Sequence, residues 1–220
     1  LLARREGNGE RPRGWRGRSR RALTGASHGA AGIAHALLRL HAATGIDDFR
    51  AAAEEGIAFE SALFDRARGN WPDLRDGAGT AEAPGFATGW CNGAPGIALA
   101  RLGSPRLRAD PIVCAEVDAA LATTCACGAD GLDHLCCGAM GRVETLLVAG
   151  RTLGRADLAD RAERLAATVV GRAARDGGPR FNGLAPADLV PGLFTGSAGI
   201  GYQLLRLRDP DRVPSVLLWS

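Results

Sequence analysis

The sequence predicts an all-α protein, an α/α toroid made of a double layer of inner and outer helices. Apolar residues make up 46% of the 220 residues and charged residues 23%, which is typical of a packed globular core and not of a disordered chain. Aromatic residues are only 5%, while 31 residues are Gly. This mix disfavours β-sandwiches and barrels, because their strands need aromatic and β-branched side chains. An internal repeat of a glycine pair favours stacked helices instead.

The repeated element is a G-x-x-G motif that occurs four times, each copy followed by an apolar run. The first glycines of the copies are Gly29, Gly93, Gly138 and Gly196, which are 64, 45 and 58 residues apart. Self-similarity at such spacing is the signature of stacked supersecondary units. We expect the first glycine to allow the turn into an inner helix. We expect the second to let neighbouring helix ends approach closely.

Amphipathic stretches between the motifs predict outer helices over residues 47–68, 111–124 and 157–175. Asp47 and Asp48 begin the first of them, where carboxylates interact favourably with the helix dipole. The segments after the glycine pairs are apolar almost all round, as expected of helices buried on every side. Units of one inner and one outer helix stack into an α-solenoid or close into an α/α toroid.

Charge divides the chain into an Arg-rich segment, residues 1–21, and a helical domain, residues 22–220. Eight Arg face only Glu6 and Glu10 in the first segment, a balance of +6, whereas the remainder carries −3. We expect the Arg-rich segment to be solvated and poorly ordered. A nucleic-acid-binding arm is the alternative. It is disfavoured because the remainder is acidic and Trp15 is the segment's only aromatic residue, so we predict no nucleic-acid partner.

Three features of the sequence predict a cytoplasmic location. No apolar run reaches the ~18–20 residues of a membrane span, so we predict no membrane span. The sequence begins at Leu1 without a signal segment, and its cysteines do not fall at scaffold-like spacings. We therefore expect a cytoplasmic protein with reduced thiols. We also expect that an N-terminal part of the polypeptide lies outside this sequence.

Three of the six cysteines, Cys91, Cys136 and Cys137, lie within two residues before a glycine pair. Stacked repeats place such positions at one end of the helices, so we expect the three sulfurs to lie close together. Three thiolates and one open position outline a catalytic zinc site, since a closed structural site needs a fourth protein ligand. Three buried free thiols are the alternative, and a strained vicinal disulfide is a weaker one.

The chemistry that such a site favours is thiol addition to an electrophilic alkene. A zinc ion with three thiolates is a poor Lewis acid for water, but it keeps a fourth, exogenous thiol deprotonated at neutral pH. His28 occupies the matching position of the first repeat, and its pKa range suits proton transfer. A helix-capping or core role is the alternative for His28. A competing metal set with unfamiliar zinc spacing is Cys125, Cys127 and His134.

Several of these stretches resemble lanthionine synthetase C-like cyclases, namely residues 27–32, 90–97, 134–138 and 193–202. Residues 209–218 resemble the C-terminal end of class II, bifunctional lanthipeptide synthetases. The resemblance implies an α/α toroid with a zinc-dependent site. In such a site zinc activates a Cys thiol of a lanthipeptide precursor for addition to dehydroalanine or dehydrobutyrine, which forms (methyl)lanthionine thioether rings.

Carried over to this chain, the resemblance makes Cys91, Cys136 and Cys137 the zinc ligands and His28 the catalytic proton donor. Many relatives have Cys-His-Gly where residues 136–138 are Cys-Cys-Gly, so the chain is similar to an all-thiolate subgroup. The added negative charge should make the bound thiolate more reactive. The family's toroid has seven helix pairs, whereas this chain has motifs for four or five. We therefore expect an incomplete toroid, whose exposed inner faces argue against activity of the fragment alone.

The partners implied by the resemblance are a precursor peptide with dehydrated Ser and Thr and a dehydratase domain on the missing N-terminal part of the same polypeptide. Two other functions stay open: addition of glutathione to dehydroamino acids, and a non-catalytic peptide-binding module with structural zinc or none. Zinc content and its loss on Cys91→Ala distinguish the enzyme from the module. An α/α-toroid glycosidase is disfavoured, because the motif positions offer no pair of carboxylates across a cleft.

Overall fold

The regular secondary structure of the computed structural model is almost entirely helical over the residues that it describes, and the chain divides into two compact units, Leu1–Thr123 and Thr124–Ser220. The described residues are 2–6, 12–16, 21–80, 83–183, 185, 188 and 190–219. The all-α composition agrees with the prediction. None of the helices in these ranges combines the length and apolar character that a bilayer span requires.

The first unit contains a short antiparallel ribbon followed by helices. Strands β1 (Arg5–Glu6) and β2 (Gly14–Trp15) pair with Arg5 opposite Trp15. The helices are α1 (Ala30–Thr44), α2 (Asp47–Ser61), α3 (Ala94–Leu102) and α4 (Pro111–Ala126), the last of which ends beyond the first unit. Helix α1 packs against both α2 and α3, so it is the central helix of this unit.

Trp71 is the centre of the first unit's core. Its side chain is fully buried, its ring centroid lies 4.6 Å from that of Phe64, and its indole N–H donates to the carbonyl oxygen of Glu60 at 2.9 Å. The guanidinium of Arg101 lies 4.8 Å over the same ring and forms a buried ion pair with Glu116. The segment that follows α2 is therefore part of the core and not a surface loop.

The outer-helix predictions are confirmed for α4 and for α6 (Ala156–Asp176), but the helix predicted over residues 47–68 ends at Ser61. Apolar spacing continues to Phe64, which suggested a longer helix. In the structure Phe64 faces Trp71 instead, and the chain turns back between Asp65 and Asn70, whose backbones pair. The apolar residues that follow Ser61 therefore belong to a loop that packs into the core.

The second unit contains α5 (Ala139–Leu153), α6 and α7 (Ser197–Arg208), with α5 packed against the other two. Helix α5 is buried at every residue from Ala139 to Gly150, and α3 is buried along its whole length. Both therefore match the expectation for inner helices. Helix α1 does not match fully, because its Ala36 and Leu40 are exposed.

Part of the Arg-rich segment contacts α2. Arg5 and Arg13 both form ion pairs with Glu55 of α2 at 2.6 Å, and Trp15 is buried. These ion pairs and the buried indole fix the ribbon on α2. Residues 1, 7–11 and 17–20 of the segment lie outside the described residues, and its poor order stays a prediction.

Glu60, near the end of α2, ties this helix to the loop before α1. Its side chain is fully buried, and its Oε1 accepts the backbone N–H groups of Gly25 at 2.9 Å and Ala31 at 3.0 Å. Burial raises the pKa of the Glu60 carboxyl to about 7, although the charge of Arg101 and the two amides act in the opposite direction. The carboxyl group therefore ionises near neutral pH.

Folding stability should fall as the pH rises from about 4.5 to about 7. The folded state holds the Glu60 proton more tightly than the unfolded state, so this stabilisation is complete below the unfolded pKa and is lost through the folded pKa. We expect a change on the order of 2 kcal/mol. Glu60→Gln keeps the acceptor oxygen and does not ionise. The free energy of unfolding, measured with urea at pH 5 and pH 8, should depend less on pH in Glu60→Gln than in wild type. The exposed control Glu54→Gln should behave like wild type. An equal pH dependence in all three proteins would contradict the pKa assigned to Glu60.

Candidate functional site

Each glycine pair begins a helix, as predicted. Gly29, Gly93, Gly138 and Gly196 are the N-cap residues of α1, α3, α5 and α7. Only Gly93 among them needs a left-handed φ, of 96°. The polar and thiol side chains that precede these glycines therefore lie on loops that lead directly into helix N-termini.

The second glycine of the motif makes room for the loop of its own repeat. In three motifs an added Cβ would lie 1.8 Å from the carbonyl oxygen six residues earlier: Gly32 against Ala26, Gly96 against Trp90, and Gly199 against Leu193. No real Cβ approaches a carbonyl oxygen so closely. The expected contact between neighbouring helix ends is thus secondary to the folding of each loop over its own helix.

A common set of hydrogen bonds closes the loops. The first helical N–H donates to the carbonyl seven residues earlier in three motifs: Ala30 to Leu23 at 2.9 Å, Ala139 to Leu132 at 2.8 Å, and Ser197 to Val190 at 2.6 Å. The loop before α3 differs, because Ala94 N–H donates at 2.7 Å to the side-chain oxygen of Asn70, whose amide donates to Ala87 at 3.0 Å. Asn70 lies outside the motif, so the motif spacing does not identify it.

Adjacent motif loops pair in the same way within each unit. In the first unit the Ser27 N–H donates to the Cys91 carbonyl at 3.2 Å, and in the second the Cys136 N–H donates to the Phe194 carbonyl at 2.8 Å. All four residues stand two positions before the first glycine of their motifs. The expectation that these positions collect at one end of the helices is confirmed inside each unit.

The vicinal thiols Cys136 and Cys137 have the geometry of two ligands of one metal ion. Neither forms a disulfide, because their sulfurs lie 3.5 Å apart, far beyond the ~2.05 Å of an S–S bond. Two sulfurs bound tetrahedrally at about 2.3 Å from Zn²⁺ would be about 3.8 Å apart. Cys91, which precedes its glycine by the same two positions as Cys136, is also a thiol and only 2% exposed. The donor chemistry and the spacing of the pair fit zinc.

The neighbours of Cys91 in the first unit differ in exposure. His28 is exposed, so the alternative of a core histidine is wrong; its Nε2 lies 3.5 Å from Ser27 Oγ. Asn92 is fully buried, and its side-chain amide donates at 2.9 Å to Asp73, a carboxylate that is also paired with Arg75. Asn92 therefore anchors the loop that carries Cys91, a role that no sequence signal indicated.

Comparison with known proteins identifies the family. The model of the family described as lanthionine synthetase C-like protein matches residues 6–218. The chain belongs to the lanthionine synthetase C-like family. The match begins at residue 6, inside the Arg-rich segment and at the end of β1.

The solved structure of nisin cyclase is similar to this lanthionine synthetase C-like chain, with a TM-score of 0.59 at 19% sequence identity. The match covers 90% of this chain and 50% of nisin cyclase, so the chain spans about half the length of that protein. The likeness shows a shared fold and confirms the predicted fold class, an α/α toroid. The search of curated proteins found no match.

The competing metal set is engaged in structural contacts in this family member. His134 is buried, which lowers its pKa, and its Nδ1 lies 3.4 Å from the backbone N–H of Cys137. Cys125 lies near the end of α4, where burial raises the pKa of its thiol and its carbonyl accepts a hydrogen bond from Arg161. A neutral thiol and a histidine that supports the thiol-pair loop favour structural roles.

Proposed function

We propose that this chain carries the catalytic site of a zinc-dependent peptide cyclase, which forms lanthionine and methyllanthionine rings in a precursor peptide with dehydrated Ser and Thr. The observation that carries the proposal is the Cys136–Cys137 thiol pair at zinc-ligand spacing, in a chain of the lanthionine synthetase C-like family. The similar fold of nisin cyclase supports a cyclase over other peptide-modifying enzymes.

We place Cys91 with Cys136 and Cys137 as the third zinc ligand. Motif loops pair in sequence order within each unit, first with second and third with fourth. Cys91 has the same motif position as Cys136, two residues before the first glycine, and this equivalence supports its assignment as a ligand. Three thiolates then leave one tetrahedral position for a thiol of the peptide.

A bound Zn²⁺ would supply a lowered pKa for the peptide thiol, so that thiolate is present at neutral pH. In ring closure the sulfur adds to Cβ of the dehydro residue and one C–S bond forms. The C=C electron pair moves toward the adjacent carbonyl, and a proton is then added at Cα, so no atom is lost. We assign that proton to His28, because it is exposed and its loop is hydrogen-bonded to the Cys91 loop at 3.2 Å.

The test is ring formation in a dehydrated, Cys-containing peptide incubated with the zinc-loaded protein. Thioether formation leaves the peptide mass unchanged and removes its thiols from alkylation, so mass spectrometry after alkylation counts the rings. His28→Ala should slow the reaction by about 10²–10⁴-fold without loss of zinc, whereas His41→Ala, a change in another histidine of the first unit, should not. Undiminished thiol alkylation with wild-type protein would reject the cyclase.

The same experiment separates the two other functions. A peptide-binding module would retain the peptide but leave every thiol reactive. Addition of glutathione would increase the peptide mass by one glutathione for each dehydro residue consumed. Cytoplasmic location and a dehydratase domain elsewhere in the polypeptide stay predictions.

A further inference from the structure

The segment after α7 is firmly anchored although it has no regular secondary structure. Ser215 donates through its hydroxyl to the buried carboxylate of Glu144 at 2.6 Å, and the Leu218 N–H donates to the Ser215 hydroxyl oxygen at 3.2 Å. The side chains of Leu217 and Leu218 are buried. The chain therefore reaches residue 219 with its path fixed by hydrogen bonds and apolar packing.

The Trp219 side chain is exposed to solvent at the end of this anchored segment. Its side chain is 67% exposed, and its φ of 57° is left-handed, a conformation that costs a residue with a Cβ about 1–2 kcal/mol. The anchored segment thus places the exposed indole at a fixed position on the unit.

A second aromatic side chain joins the indole to the loop of the thiol pair. The Phe194 ring centroid lies 6.2 Å from that of Trp219, and the preceding Leu193 is also exposed. The Phe194 carbonyl is the acceptor of the Cys136 N–H at 2.8 Å. An apolar platform of Leu193, Phe194 and Trp219 therefore adjoins the loop that presents Cys136 and Cys137.

The geometry points to a recognition subsite: this platform takes a large apolar side chain of the precursor peptide, one or two residues from its reacting Cys. The inference rests on the proposed function, because it names the peptide feature that is bound beside the thiol pair. Exposed apolar patches on soluble proteins mark interaction sites, and Trp is enriched among residues that dominate binding energy. An extended peptide rises about 3.3 Å per residue, so a near neighbour of the reacting Cys stays within reach.

The subsite can be tested without turnover by two labelled peptides in which Ser replaces Cys, one with Leu and one with Gly beside that position. Fluorescence anisotropy should show about tenfold tighter binding of the Leu peptide to the wild-type protein. Trp219→Ala should remove this preference and leave the affinity for the Gly peptide unchanged. Leu205→Ala is the control, because it removes an exposed apolar side chain of α7 that is not part of the platform. It should not change the affinity for the Leu peptide or for the Gly peptide.

Equal affinity of wild type for both peptides, or an intact preference in Trp219→Ala, would overturn the subsite. Phe194→Ala leaves the C-terminal anchor in place and must also reduce the preference, so a folding defect in Trp219→Ala does not prevent a decision. With the Cys-containing peptides, Trp219→Ala should raise KM for the Leu peptide about tenfold without changing kcat or zinc content. No ring formation by wild type with an intact Leu preference would contradict the cyclase and not the subsite.

Discussion

Cys137→Ala is expected to remove zinc from the protein and to stop ring formation while the fold stays intact. Cys137 is exposed, so its truncation leaves no buried cavity, and its stability effect should stay within about 0.5 kcal/mol. In the proposed site, a bound zinc ion would lose one of its three protein ligands. Even the loss of a residue that only supports a ligand costs 10–100-fold in affinity, so we expect a loss of at least about a hundredfold.

Zinc per chain after dialysis and thiol consumption by mass spectrometry measure the two effects. Cys114→Ala is the matched control, because it removes a thiol of α4 outside the motif loops, whose Sγ donates to the Arg108 carbonyl oxygen at 3.2 Å. Cys137→His keeps a zinc ligand but removes one negative charge, so it should retain zinc and react more slowly. Full zinc content and full activity in Cys137→Ala would show that this thiol is not a ligand.

Gly199→Ala should have the largest effect on stability. The added Cβ would lie 1.8 Å from the Leu193 carbonyl oxygen and 2.9 Å from a methyl carbon of Leu135, so the loop before α7 must move. We expect a loss of more than about 4 kcal/mol, a large part of the 5–15 kcal/mol that stabilises a typical domain. The displaced loop carries Phe194, which also positions the Cys136 backbone.

Gly201→Ala, two residues further along the same helix, is the control. Among the described residues, no atom outside the neighbouring backbone of the helix lies within 4 Å of a Cβ added there, and Ala is favoured over Gly in a helix interior by about 0.5–1 kcal/mol. Thermal unfolding followed by far-UV circular dichroism should therefore give a strongly lowered Tm for Gly199→Ala and an unchanged or slightly raised Tm for Gly201→Ala. Similar Tm values for the two variants would contradict the proposed need for space at the second glycine.

The parts of the fold that local pattern determines could be predicted from the sequence. The glycine pairs mark the starts of α1, α3, α5 and α7, and in three of the four motifs the loop geometry excludes a side chain at the second glycine. Periodic apolar residues gave α4 and α6 nearly to their ends. The end of α2 was missed because Phe64 continues a helical pattern but packs on Trp71, a contact that depends on the tertiary fold.

The residues of the candidate site also fall into those that the motif predicts and those that depend on the tertiary fold. Cys136 and Cys137 were found because the motif itself contains them. Glu60, Asn70 and Asp73 were missed, since they fix the motif loops from 19 to 35 residues away and no spacing rule connects them to the motif. The ion pairs of the Arg-rich segment also depend on one distant partner, Glu55, which the net charge of the segment does not identify.

Zinc K-edge X-ray absorption on the metal-loaded protein tests most directly whether Cys91 joins the vicinal pair. We expect three sulfur scatterers at about 2.3 Å in wild type, four when a Cys-containing peptide is bound, and two in Cys91→Ala. A wild-type shell of two sulfurs that Cys91→Ala leaves unchanged would contradict the three-thiolate centre.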